Sequence, residues 1–280
     1  MPFQHRSRST APYGPSVPET SVVTADVLYG PDRNLRSMRT PTHDSDFSRT
    51  SEQLSAEVNP YEPELGSLPQ NDLSAADLDN VNKTGTTTIG ITTADGVVIA
   101  TDMRASLGGR FVSNKNVQKV EQIHPTGALT MVGSVGGAQS FIKSLRAEVN
   151  LNEARRGEAM SIDALATLAG NFARGGPFFA IHPILGGVDE EGSHVYSIDP
   201  AGGVMEDDYT VTGSGMQLAY GHLEQAYEDD MSNEEAKTVA ARSIKSAAER
   251  DTGSGNGVFL CEITEESVDI HGHHDFDEVI

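Results

Sequence analysis

Tryptophan is absent from the 280 residues, and cysteine occurs once, at Cys261. A lone cysteine rules out an intramolecular disulfide framework. Aromatic residues reach only 6% and hydrophobic residues 37%, which is lean but sufficient for a core. No apolar run approaches the ~18 residues of a membrane span. Residues 1–10, MPFQHRSRST, lead into no apolar stretch, so no secretory leader is expected. Positive charge is also scarce: Lys plus Arg is 20 against 41 for Asp plus Glu, net −21, and only 6 of the basic residues are Lys. A surface this acidic repels nucleic-acid phosphate and anionic lipid, which argues against both as partners. The expectation is a soluble, cytoplasmic protein. Its charge bias suits a cytoplasm of very high salt, where screening weakens self-repulsion and hydrated carboxylates keep the surface soluble. A merely acidic mesophilic protein is the other reading, and a stability titration in KCl separates the two.

Composition changes near residue 85. Residues 1–85 hold 9 of the 13 Pro, only 4 of the 28 Gly and 11 Ser, with 7 basic against 12 acidic residues. They show no sustained period of 2 or 3.6, and read as a mostly disordered arm. Apolar patterning begins at Thr86, so residues 86–280 are expected to form one compact domain. The arm is either an inert tail or a removable pro-segment, and its far edge decides between them.

The patterned region reads in blocks. TTTIGITT (86–93) is a β-branched, alternating strand, and VVIATDM (97–103) returns from the Ala94-Asp95-Gly96 turn. Further strands are expected at 111–117, 119–123 and 127–134. Gly136-Gly137 opens a helix running to Arg156, and Ser161 caps a second with Ile162, Leu165, Leu168, Ala169 and Phe172 on one face. Strands are expected at 178–187, 193–199 and 208–212, helices at 216–228 and 233–249, and closing strands at 257–264 and 267–271. Ser232 and Glu235 fit a capping box for the last helix. Grouped strands and grouped helices argue against an alternating parallel fold and for a layered α+β arrangement of antiparallel sheets.

The arm meets the first strand at Lys83-Thr84-Gly85-Thr86. Threonine is a weak nucleophile unless a base sits beside its hydroxyl. Cutting between Gly85 and Thr86 would create that base, because the new α-amine belongs to the same residue and titrates near pKa ~8. Asp102 and Arg104 end the second strand, and Lys119 lies on a later one. An acid and a lysine near the threonine would pair, and the ammonium would favour the ionised hydroxyl and hold down the amine pKa. Taken alone, such charges are ordinary surface residues. Gly133-Ser134, Gly213-Ser214-Gly215 and Gly253-Ser254-Gly255 fall at strand–helix junctions, where backbone N–H groups can bind a developing oxyanion, although plain turns use the same residues. No cluster completes a P-loop or a G-x-S-x-G elbow.

Together, Gly85-Thr86 with TTIGITT, ATDMRAS, NKNVQKV, MVGSVGGAQ, YSIDPAGG, TGSGMQLAYG and RDTGSGNGVFL resemble an archaeal 20S proteasome β subunit over 86–280. The resemblance implies the N-terminal-nucleophile hydrolase fold, a four-layer αββα sandwich. It also implies that residues 1–85 are a propeptide, removed autocatalytically at Gly85-Thr86, although 85 residues is long for an archaeal subunit of this kind. Thr86 takes the place of the catalytic threonine, Asp102 the acidic position and Lys119 the lysine; Lys115 competes for that place, but the QKV context favours Lys119. Ser214 matches the serine of T-G-S-G, and Asp251 and Ser254 match R-D-x-x-S-G. Gly133 matches the glycine whose N–H forms the oxyanion hole. Met131 falls at the floor of the primary specificity pocket, with Ala105 and Val135 on its walls, implying cleavage after large hydrophobic residues.

The implied activity is threonine endopeptidase, with no metal or organic cofactor. The implied partners are proteasome α subunits, other β subunits in heptameric rings of a four-ring particle, an activating ATPase ring and unfolded protein substrates. A catalytically silent β subunit is the alternative, and the complete set of Thr86, Asp102, Lys119 and Asp251 argues against it. A different hydrolase of the same fold is disfavoured by the two serine motifs. His271, His273, His274 and Asp275 read as a solvated tail rather than a metal site, and Cys261 as an inert thiol on a core strand.

Overall fold

A computed structural model describes residues 85–175 and 181–280. The expected arm, apart from Gly85, lies outside the described residues, as does the start of the strand expected at 178–187.

One antiparallel sheet contains β1 (Thr87–Thr93), β2 (Gly96–Asp102), β10 (Tyr209–Gly213), β11 (Val258–Ile263) and β12 (Val268–His273), in the order β10-β1-β2-β11-β12. The other contains β5 (Val120–His124), β6 (Gly127–Thr130), β7 (Ile184–Asp189), β8 (Gly192–Ile198) and β9 (Val204–Glu206), in sequential order. A separate hairpin pairs β3 (Ala105–Leu107) with β4 (Phe111–Asn114). Among the described residues there are four α-helices: α1 (Val135–Arg156), α2 (Ile162–Gly175), α3 (Met216–Ala226) and α4 (Asn233–Ala248).

The layers follow from strand periodicity. Successive side chains leave opposite faces of a strand, and here both faces are covered. On β2 and β11, Val98, Ala100, Val258 and Leu260 join Ala219, Leu223, Ala240 and Ile244 of α3 and α4 in one core. Their neighbours Val97, Ile99, Cys261 and Ile263 face the other way, into a core shared with Ala128, Ile184 and Val195 of the second sheet. That sheet turns Leu129, Leu185 and Ile198 toward Phe141, Leu145, Leu165 and Ala169 of α1 and α2. The result is the expected α+β, four-layer αββα sandwich.

Helix ends follow local chemistry. Ser134 caps α1 by accepting from the Gly137 N–H, and left-handed Gly157 ends that helix. The Ser232–Glu235 capping box is present at α4. Two short strands escaped the sequence reading. The strand expected at 111–117 is present as β4 but stops at Asn114, and it pairs with the unexpected β3 in a hairpin turned by Gly108 and Gly109 at φ 58° and 69°. The strand β9 is likewise an addition. The strand expected at 127–134 stops at Thr130, and beyond it Gly133 at φ 97° joins an isolated bridge to Ile181.

Candidate active site

Thr86 stands immediately before β1, whose first residue, Thr87, pairs with Gly213 at the end of β10. It is buried, and its hydroxyl donates to the Gly85 carbonyl at 2.7 Å. Lys119 Nζ lies 3.1 Å from the same hydroxyl and 3.3 Å from the Gly85 carbonyl oxygen. One ammonium therefore touches both the oxygen that would attack and the oxygen that would gain charge. The backbone at Gly85 is held closely: its N–H donates to Ser106 Oγ at 3.1 Å, and a Cβ there would come 2.2 Å from Gly253 Cα. Only glycine fits that approach.

Asp102 ends β2 and Lys119 precedes β5, so the pair bridges the two sheets. Both are buried, with 0% and 3% of their surface exposed, which overturns the reading of them as ordinary surface charges. They meet at 2.7 Å. Asp102 Oδ1 also accepts from Thr87 N at 3.0 Å, and Oδ2 accepts from Arg104 N and Gly255 N, each at 2.9 Å. Every partner of the carboxylate is a donor, and the three bonds of Lys119 Nζ all run to acceptors, which is the pattern of an ionised pair. Burial pushes the Lys119 ammonium below the usual lysine range, with Asp102 opposing, and pushes the Asp102 carboxyl above its ordinary value, with Lys119 opposing.

On the other side of Thr86, its backbone N–H donates to Ser214 Oγ at 3.1 Å. Ser214 donates in turn to Asp251 Oδ2 at 2.6 Å, and Ser254 donates to the same oxygen at 2.6 Å. The Thr87 hydroxyl lies 2.7 Å from Ser254 Oγ. The T-G-S-G turn after β10 and the R-D-x-x-S-G turn after α4 thus converge on the start of β1.

Beside the threonine opens a cavity of about 140 Å³. Thr86, Ala105, Lys119, Met131, Gly133 and Val135 all line it, so the expected pocket residues share one wall system with the expected nucleophile. Val117, Gln118, Glu121 and Gln139 line it as well. Lys115 is exposed and makes none of these contacts, which separates it from Lys119. The roles of Ser106 and Thr87 went unnoticed in the sequence, and Gly253 was noted only for its turn, not for its contact with Gly85. Ser106 sits on a three-residue strand too short to show a period. Elsewhere, Cys261 is buried, and burial pushes its thiol up to about 12. Among the described residues no group of three or more His, Cys, Asp and Glu is placed to hold a metal ion, and no helix is long and apolar enough to cross a membrane.

A family model described as proteasome subunit matches residues 82–263. "Proteasome subunit beta 1" of Haloterrigena turkmenica is 88% identical over 243 residues, 87% of this chain and 100% of that protein. "Proteasome subunit beta" of Natrialba magadii is 87% identical over 243 residues, again 87% of this chain and 100% of that protein. "Proteasome subunit beta" of Natronomonas pharaonis is 77% identical with the same coverage, 87% and 100%. The match spans most of the chain and includes every site residue described above, so the chain belongs to the proteasome family, among the β subunits of haloarchaeal 20S proteasomes.

Proposed function

We propose that this subunit is a threonine endopeptidase made as an inactive precursor, with Thr86 as its nucleophile and residues 1–85 as a propeptide. One observation carries the reading: the Thr86 hydroxyl lies against the Gly85 carbonyl, with the buried Lys119 ammonium on both oxygens. In the precursor the Thr86 nitrogen is an amide and no base. Thr86 Oγ bonds to the Gly85 carbonyl carbon, its proton passes to the Thr86 nitrogen, and the C–N bond breaks to leave an ester. Water hydrolyses that ester, releasing the arm with a Gly85 carboxylate and restoring the hydroxyl.

The freed α-amine then stays beside Ser214 and Asp251, and the Lys119 charge keeps a useful fraction of it neutral. In peptide hydrolysis it takes the Oγ proton as Oγ attacks the substrate carbonyl. Gly133 N–H serves the tetrahedral oxyanion. The ammonium returns the proton to the leaving peptide nitrogen, and water, deprotonated by the same amine, completes turnover. Asp102 keeps Lys119 charged, and Asp251 with Ser254 fixes Ser214. Residues of this chain supply each of these steps, so the mechanism calls on no cofactor. The apolar walls Ala105, Met131 and Val135 favour substrates with a large hydrophobic residue before the cut bond. Assembly with α subunits and other β subunits into a four-ring particle, fed unfolded protein by an ATPase ring, would confine this activity to a closed chamber in the cytoplasm.

The test is intact mass and peptide hydrolysis of particles assembled in high salt. Wild-type chains should begin at Thr86, whereas Thr86→Ala chains should retain the arm, cleave no peptide and take no label from an epoxyketone. Thr86→Ser should mature and retain activity. A Thr86→Ala particle that removed its own arm and cut peptides would refute the assignment.

A further inference from the structure

The segment between α4 and β11 serves both sides of Thr86. Its start carries Asp251 and Ser254, and further on the Gly255 N–H binds Asp102. Its backbone is demanding, because Gly255, Asn256 and Gly257 have φ of 141°, 68° and 117° in succession. Asn256 is one of two non-glycine residues with positive φ among the described residues.

Arg104 lies along this turn. Its Nε donates to Asn256 Oδ1 at 2.9 Å and its Nη1 to the Thr252 carbonyl at 3.1 Å. Its Nη2 rests against Gly255, where a Cβ would come within 2.6 Å. The Arg104 backbone N–H meanwhile donates to Asp102 Oδ2, the same oxygen that Gly255 N–H reaches. Among the described residues the guanidinium forms no ion pair, and both of its bonds run to neutral amide oxygens. In a chain with 41 acidic residues, a part-buried arginine held this way is placed for geometry rather than for charge pairing.

We propose that Arg104 is a positioning residue of the Thr86 site: its guanidinium clamps the 252–256 turn, keeping Gly255 N–H on Asp102 and the Asp251–Ser254 pair on Ser214 and Thr87. The inference rests on the reading of Thr86 as nucleophile. Arginine suits the task because its planar fork offers Nε and Nη donors at fixed angles to two acceptors on one turn, which a single ammonium does not reproduce. Its charge also faces Lys119 and presses that ammonium further down, in the same direction as burial.

The experiment compares Arg104→Lys, Arg104→Gln and Asn256→Gly in assembled particles, alongside Thr86→Ala. Arg104→Lys should lower kcat about tenfold through the lost charge-assisted bond while leaving KM nearly unchanged. Arg104→Gln should lose as much and also shift the alkaline limb of the pH profile upward, because Lys119 then keeps its proton longer; Arg104→Lys, which retains the charge, should not. Asn256→Gly adopts the left-handed backbone freely, so its fall in kcat reads the lost Arg104 bond alone, and combining it with Arg104→Lys should add little. Wild-type kcat and pH profile in both Arg104→Lys and Asn256→Gly, with Thr86→Ala inactive, would overturn the clamp and leave the nucleophile standing. An active Thr86→Ala particle would instead overturn the nucleophile and the clamp with it. Should the Arg104 variants fail to assemble, Asn256→Gly decides alone.

Discussion

Gly85 shows how much of this site depends on single atoms. Its Cα abuts Gly253 so closely that a methyl group at either position would enter the other's backbone. Gly85→Ala must therefore push the Gly85 carbonyl off Thr86 Oγ and Lys119 Nζ. Misplacement of reacting groups by about 1 Å can cost on the order of 10²-fold in rate, so arm removal should slow by about that factor while the mature site, which lacks residue 85, stays intact. A time course of intact mass checks this, and maturation at the wild-type rate would contradict it. The Gly-Thr step was visible in the sequence because an arm-like composition ended there. Asp102 and Lys119 were visible as residue types but not as a buried pair, since burial depends on two sheets closing over them. Ser106 was not visible at all: a hydroxyl acquires this role only after the hairpin brings it to Gly85 N–H.

At the scale of elements, the alternation on β1, β2 and β11 and the caps of α1 and α4 could be read directly, because each is a local pattern. The strands β3 and β9 could not, since three residues carry no period. Cross-strand chemistry is equally hidden. His194 on β8 places Nδ1 2.7 Å from Glu206 of β9 and Nε2 3.3 Å from Asp189 of β7, and the other Asp189 oxygen accepts from the first N–H of α2 at 2.7 Å. Burial presses the His194 pKa down, but the Glu206 hydrogen bond and the Asp189 and Glu206 charges prevail and raise it above the usual histidine value. A raised folded pKa adds stability that is complete below the unfolded value of about 6.5 and is lost as pH climbs through the folded one. His194→Gln should therefore destabilise the protein more at about pH 6 than at about pH 8.5, the values bracketing that range. Thermal unfolding of both proteins in high salt at the two pH values measures it. An equal deficit at each would mean that His194 acts by packing alone, through its stacking on Tyr196.

At the scale of the whole molecule, the dominant physical fact is a net charge of −21. The ion pairs among the described residues offset little of it, because most acidic side chains on α1, α4 and the turns face solvent. Such a surface repels itself, and self-repulsion opposes both the compact state and the approach of a second copy. Salt shortens the range of that repulsion from about 10 Å at 0.1 M to about 3 Å at 1 M. The Asp102–Lys119 pair, being buried, is screened far less. The two effects separate in one titration. As KCl is lowered, unfolding temperature and particle assembly should fall together, and the loss should track ionic strength rather than the identity of a bound ion. Activity per assembled particle should stay nearly constant, because the site's own electrostatics are internal. Sedimentation, thermal unfolding and peptide hydrolysis across a KCl series measure all three. Full folding and assembly in dilute buffer would show that the acidic surface is tolerated without screening; activity per particle collapsing before assembly does would show instead that salt reaches the Lys119 pair.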